Sequence, residues 1–346
     1  MGVVAAVVVA AGIAAIVLAV WHGRRPREAY RLPGDRPPPP TTAPARVVCR
    51  EVAEAFPTGF KESRCLALGP DGSVWVSGDF AVRRFDAAGR RLGEIAVIEP
   101  PGALAVDADG VAFVATGGKV MVYAGDGERR AVWPPAGDRA VLTAIALAGD
   151  EVFVADAGNR AVLRYDKSGK LIKAIGRKDP QRNVPGFQVP SPYFDLAMAP
   201  DGLLRVANPG RCRIEAYTVD GDLEASWGRS GEDPEGFSGC CNPANFALLP
   251  ARGGAGRIEG YVTAEKGRTR VKLHDADGKL VGLVAGAGAF REHDRRLGTK
   301  PAGRAFLALD VAVAPGGRIF VLDPVCNEVR AFERTAGASP AGEGGP

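Results

Sequence analysis

Histidine is nearly missing from this chain. Of 346 residues only three are His, at positions 22, 274 and 293. A His-rich metal site, or acid–base chemistry built on imidazole, therefore has few candidates. No CxxC, CxxCH, P-loop or G-x-S-x-G run occurs, so haem c attachment, the usual nucleotide cradle and the serine-hydrolase elbow all lack support. Charge of one sign is not gathered either. Lys and Arg number 44 against 40 Asp and Glu, a formal net charge of +4, and the two signs are interleaved. That is a solvated surface rather than a basic stripe, which disfavours nucleic acid as a partner.

What the chain does have is one pattern written about six times. Its clearest copy, residues 142–176, reads LTAIALAGDEVFVADAGNRAVLRYDKSGKLIKAIG. Short apolar runs alternate in and out and are separated by Gly- and Asp-containing turns, the signature of strands joined by hairpins. One copy makes a four-stranded antiparallel sheet that cannot bury both faces alone, so copies must stack. Radial stacking of such units predicts an all-β fold, a six-bladed β-propeller. The innermost strands start their apolar runs at Leu66, Leu104, Ile145, Leu196, Phe246 and Val311. Spacing grows along the chain, and the growth is in the loops.

The copies resemble the NHL repeat: an apolar strand, D-G, a strand ending in A-D, G-N, then V-x-x-[FY] and a second D-G. Asp156, Gly158, Asn159, Val162 and Tyr165 carry the likeness in one copy, Asn208, Gly210, Ile214 and Tyr217 in the next, and Asp323, Asn327, Val329 and Phe332 in the last. The resemblance covers roughly residues 60–335 and speaks for fold more than function, because NHL propellers host ligases, lyases and plain binding modules. Residues 186–286 also look like a bacterial group of membrane-anchored NHL proteins.

The sixth copy lacks a fourth strand, and residues 46–56 form an orphan strand ahead of the first. Pairing the two would close the ring and remove an open edge. Residues 2–21 are apolar and uncharged, long enough to span a bilayer as a helix. The expected organisation is a transmembrane anchor or uncleaved signal at 1–25, a Pro-rich linker at 26–45, the propeller at 46–335 and a disordered tail at 336–346. Orientation is open. Arg24, Arg25 and Arg27 follow the apolar stretch, which by the positive-inside rule puts the propeller in the cytoplasm. The habit of anchored propellers, the Pro-rich spacer and the cysteines favour the extracytoplasmic side, which is the expectation adopted.

Aligning the copies singles out one position. The residue before each innermost strand is Cys65, Ala103, Ala144, Asp195, Asn245 or Asp310. Three consecutive blades thus offer a carboxylate, an amide and a carboxylate at the channel entrance, a set of oxygens that suits a hard cation such as Ca²⁺. The second strands of blades three to six end at the same face in Asp156, Asn208, Glu265 and Asp323. Either these bind a ligand, or, as for Asp156 and Asp323 above all, they tie down their own turns. The ligand-binding candidates are Asp195, Asn208, Asn245, Glu265, Asp310 and Asp323, with Asp195, Asn245 and Asp310 as the candidate metal set.

Cys212, Cys240 and Cys241 are expected near the same face, where a disulfide from Cys212 to one of the adjacent pair, buried thiols, or redox chemistry are alternatives. Three long loops, 177–191, 229–243 and 287–306, enter there, and Phe187 and Phe237 could wall a pocket or pin their loops. Two functions follow. One is a binding or scaffold module that presents the entrance face to a protein or small-molecule ligand, in an envelope or redox assembly. The other is a metal-dependent propeller enzyme of lactonase or lyase type.

Overall fold

The computed structural model describes residues 45–251, 256–298 and 307–335. The chain enters with β1 (Cys49–Glu51) and β2 (Phe56–Pro57), then builds six antiparallel sheets. Blade 1 is β3 (Ser63–Leu68), β4 (Val74–Gly78), β5 (Ala81–Phe85) and β6 (Arg91–Ala96). Blade 2 is β7 (Pro101–Val106), β8 (Ala112–Thr116), β9 (Lys119–Tyr123) and β10 (Arg129–Val132). Blade 3 is β11 (Leu142–Ala148), β12 (Glu151–Asp156), β13 (Ala161–Asp166) and β14 (Leu171–Ile175). Blade 4 is β15 (Leu196–Met198), β16 (Leu204–Asn208), β17 (Arg213–Tyr217) and β18 (Leu223–Trp227). Blade 5 is β19 (Asn245–Pro250), β20 (Ile258–Glu265), β21 (Arg270–Asp275) and β22 (Leu280–Ala285). Blade 6 is β23 (Asp310–Val313), β24 (Ile319–Asp323) and β25 (Glu328–Arg334).

The last blade takes its fourth strand from the N-terminal side of the ring. β1 pairs antiparallel with β25, Cys49 opposite Arg334 and Glu51 opposite Phe332, while β2 pairs the other end of β25. Arg330 of β25 grips both carboxylate oxygens of Glu51 at 2.8 Å. That bidentate pair is mostly buried on the arginine side, where geometry makes such a bond specific.

Second strands are the driest part of each blade. VWVSG, AFVAT, LRVAN and IFVLD are buried at every position, as expected of strands covered on both faces. Apolar burial gathers between neighbouring blades in six clusters, one per junction; Phe56, Leu66 and Val76 meet Phe320 and Leu322 where the ring closes. Each fully buried Val, Leu or Phe contributes about 1.5–3 kcal/mol, so the junctions rather than the isolated sheets hold the fold.

The recurring D-G turns have a steric reason. Asp166 Oδ1 accepts the backbone N–H groups of Ser168 and Lys170, which sets the turn. Gly169 then takes a positive φ of 88°, and a Cβ there would run into the Trp133 ring of the preceding blade. Gly278 meets Trp227 in the same way.

One expectation differs from the structure, and another falls outside the described residues. Residues 287–306 read as a loop, yet Ala287–Leu297 is a helix, α1, closed by Gly298 in the left-handed conformation. And no helix among the described residues is long and apolar enough to cross a membrane; the span expected at 2–21 lies outside the described residues, as do the linker through residue 44 and the tail from 336.

Candidate functional site

The innermost strands surround a central channel with a cavity volume of about 600 Å³, and Asp195, Asn245 and Asp310 all line it. The structure therefore brings the three aligned residues to one mouth. It also shows what holds them. Asp195 accepts from its own Leu196 N–H at 2.8 Å and from Phe246 N–H of blade 5 at 2.7 Å. Asn245 Nδ2 donates to Leu309 O, just ahead of blade 6, at 2.8 Å. Asp310 accepts from Val311 N–H at 2.8 Å and from Leu66 N–H of blade 1 at 2.7 Å. Each side chain latches its blade to the next.

The latch continues around the ring with donors instead of acceptors. Cys65 Sγ donates to Gly102 O at 3.1 Å, and Thr143 Oγ1 to Phe194 O at 2.6 Å. Side chains that can donate reach the carbonyl ahead of the next blade's aligned position; carboxylates take the N–H after it. At the junction of blades 2 and 3 the aligned position offers no such latch, because Ala103 and Gly102 carry nothing to reach with; Lys167 and Asp107 pair across that junction at 3.4 Å instead.

These carboxyls sit in an unusual electrostatic setting. Burial pushes the Asp195 pKa up to about 8, with the charge of Asp310 adding to it and the two backbone N–H groups opposing it. Burial likewise raises Asp310 to about 6. The Cys65 thiol is pushed up to about 12 by burial and by Asp310, which leaves it protonated and unreactive. Tyr193 stands at the rim, its hydroxyl accepting from Ala308 N–H at 3.2 Å and its ring under Lys266 Nζ at 5.1 Å.

The other candidates are elsewhere, buried and engaged. Asn208 accepts from Gln188 N–H and donates to Glu215, fastening the loop before blade 4. Glu265 pairs with Arg270 at 2.9 Å and Lys272 at 2.7 Å. Asp323 accepts from Val325 N–H in its own turn, and Asp156 from Val141 and Asn159 N–H. Among the described residues, one set of three potential metal-ligand atoms of His, Cys, Asp or Glu lies within 4.8 Å, namely Asp294, Asp323 and Cys326, with every member engaged in other interactions. Nothing in the repeat pattern pointed to Asp294, because α1 is not part of the repeat.

None of the six cysteines is in a disulfide. The bridge expected from Cys212 to Cys240 or Cys241 is not formed: Cys212 Sγ donates to Gly239 O at 3.2 Å, and Cys240 and Cys241 face each other with sulfurs 3.3 Å apart. Phe187 and Phe237 are buried and pin their loops rather than wall a pocket. Phe187 packs edge-on against Phe194 at 4.9 Å, and Phe237 lies 6.0 Å from Trp227.

Six four-stranded blades around a polar-mouthed channel define a β-propeller. No protein-family model and no curated protein sequence matches the chain. Solved structures share its fold. A streptogramin B lyase superposes with a TM-score of 0.53 at 11% identity, over 82% of this chain and 97% of the lyase. A catalytically inactive virginiamycin B lyase from Staphylococcus aureus, solved with quinupristin, gives 0.51 at 14% identity over 81% and 83%. A protein of unknown function from Bacteroides thetaiotaomicron gives 0.57 at 14% over 82% and 75%. At such identities the likeness is one of architecture.

Proposed function

We propose that this chain is an NHL-type propeller working as a binding module through its channel-entrance face, held at a membrane by its N-terminal apolar stretch with the propeller on the extracytoplasmic side. The observation that carries the reading is the pair of acidic side chains, Asp195 and Asp310, set with the Asn245 amide around one channel mouth and raised in pKa by burial. Like charges held in low dielectric favour a proton or a positive ligand group between them. The ligand is accordingly a molecule with an organic cationic group, an amine or guanidine, small enough to enter a cavity of about 600 Å³. Ca²⁺ fits less well. Every carboxylate oxygen of the pair already accepts a backbone N–H, and the Asn245 amide is turned to donate to Leu309 O. The same engagement supports binding over lactonase or lyase chemistry, since the side chains are rigid receptors rather than mobile proton carriers.

Isothermal titration of the protein with spermidine, n-butylamine and guanidinium, beside CaCl₂ and an anionic control, tests this. A cation docking at the mouth lowers the Asp195 pKa, so binding near neutral pH should release a proton and the heat should vary with the buffer's ionisation enthalpy. Asp195→Asn should remove that proton release and weaken binding at least about tenfold. Equal binding of neutral or anionic compounds, or cation binding untouched by the substitution, would overturn the reading. Stoichiometric Ca²⁺ uptake would instead favour the metal enzyme.

A further inference from the structure

The loop between blades 4 and 5 is braced far more heavily than a connector needs. Phe237 is wholly buried, 6.0 Å from both Trp227 and His274. Arg270 Nη2 and Lys272 Nζ donate to Gly236 O at 2.9 and 3.0 Å, and Lys272 also lies over the Phe237 ring at 4.1 Å. Glu265 pairs with both of those buried cations and offsets one of their two charges. On the far side, Asn242 donates to Ser238 O at 2.6 Å and to Lys266 O at 3.0 Å, and accepts from Lys266 N–H at 2.7 Å. Burying three ionised groups costs several kcal/mol before their mutual attraction is counted, and here they hold one short loop in place.

Between these two anchors the loop offers Cys240 and Cys241. Their sulfurs are in contact at 3.3 Å. Cys240 is exposed and Cys241 half-buried, whereas Cys49 and Cys212 are buried. Burial drives the Cys49 thiol up to about 11 and the Cys65 thiol up to about 12. Cys212 is raised by burial too, and its thiol is committed to Gly239 O. Cys65 and Cys326 are half-buried like Cys241, but their thiols donate to Gly102 O and to Asp294, whereas Cys240 is exposed with a second sulfur in contact, so the adjacent pair is the best placed for exchange. The Cys240 thiol is itself raised by the neighbouring Cys241 sulfur, with the positive charge of Lys266 opposing that, so exposure and sulfur contact, not acidity, set this pair apart.

We propose that Cys240 and Cys241 are a redox-active dithiol that closes to a disulfide between adjacent residues by exchange with an incoming disulfide substrate. One thiolate of the pair attacks a sulfur of the substrate disulfide. A mixed disulfide forms and the first substrate thiol leaves. The second cysteine sulfur, already in contact, then attacks the protein sulfur of that mixed bond and expels the second substrate thiol. The protein pair loses two protons and two electrons, and the substrate disulfide gains them as two thiols. A bridge between neighbouring residues is strained, hence oxidising and readily reopened, which suits reversible exchange rather than permanent bracing.

The test uses the full chain, reduced and then equilibrated in glutathione buffers of stepped redox poise. The expected product has lost two of its six thiols, carries no glutathione, and maps without reductant to a bond inside the single peptide that holds both cysteines. Cys212→Ala should leave this unchanged. Cys240→Ser and Cys241→Ser should each stop at a glutathione mixed disulfide, since the resolving sulfur is gone. Closure should be at least about tenfold slower in denaturant, where the sulfurs are no longer held together. A cross-link from Cys212 to either partner, a persistent glutathione adduct on the unaltered protein, closure as fast in denaturant, or all six thiols surviving the oxidising end of the series would each overturn the proposal.

Discussion

Asp310 accepts the Leu66 backbone N–H at 2.7 Å, and with that one bond the last blade of the ring grips the first. The two residues lie at opposite ends of the propeller sequence. β1 completes the outer edge of blade 6, while Asp310 ties the channel edge of that blade to blade 1. Closure is thus made twice, by a strand outside and by a carboxylate inside.

Removing that carboxylate should cost stability. Asp310→Ala leaves Leu66 N–H and Val311 N–H without their acceptor beside residues only 7% and 5% exposed. Losing the partner of a buried donor costs about 1–3 kcal/mol, and Asp310→Asn, which keeps one acceptor oxygen, should recover part of it. Urea midpoints of the unliganded protein measure this. A purely ligand-facing carboxylate would leave the midpoint unchanged or raise it when removed.

The blades were legible because period-two runs and D-G turns are local. So was the alignment of Cys65, Ala103, Ala144, Asp195, Asn245 and Asp310. What the alignment could not show is the partner of each side chain. The Phe246 N–H that Asp195 binds belongs to another blade, 51 residues on. Three oxygen-bearing residues on consecutive blades therefore read as a ligand set, when they serve at least as inter-blade latches. Helix α1 escaped notice for a different reason. AGAFREHDRRL has no side-chain N-cap and one large apolar residue ahead of its last turn, Phe290, which is fully buried with Arg330 5.0 Å above its ring. Tertiary packing, not periodicity, makes that helix. Proximity of blades is legible in the sequence and suggests a Cys212 bridge; the direction of its thiol, toward Gly239 O, is not legible.

The buried ions under the dithiol loop should not be equivalent. Glu265→Ala strands Arg270 and Lys272 together in the interior, a loss of about 3–5 kcal/mol. Lys272→Met removes one cation but leaves Glu265 paired with Arg270, so it should cost about 1–2 kcal/mol less. Denaturant midpoints rank the two variants. Limited proteolysis should cut within 229–243 sooner in both, because each loosens the brace on Gly236 O. Equal midpoints, or a loop as resistant as before, would show that the brace lies elsewhere.

Stability should depend on pH in a way that names its groups. The Asp195 pKa is raised to about 8 in the fold, against about 3.9 in the unfolded chain. Between those values the folded state holds the extra proton, so stability falls as pH rises from about 4 to about 8 and is flat in this group beyond. Asp310 acts in the same direction but is finished by about 6. Lys272 works oppositely. Its folded pKa is lowered to about 8, chiefly by burial, against about 10.4 unfolded, so the folded state holds fewer protons there and stability rises between about 8 and 10.4. The two trends together place a local minimum of stability near pH 8. Asp195→Asn should flatten the descent between about 6 and 8, and Lys272→Met the ascent above it. Urea midpoints taken from about pH 5 to pH 10 for the three proteins separate these limbs. A wild-type curve that climbs steadily through neutral pH, or a descent that survives Asp195→Asn, would mean that the Asp195 carboxyl ionises freely in the channel mouth.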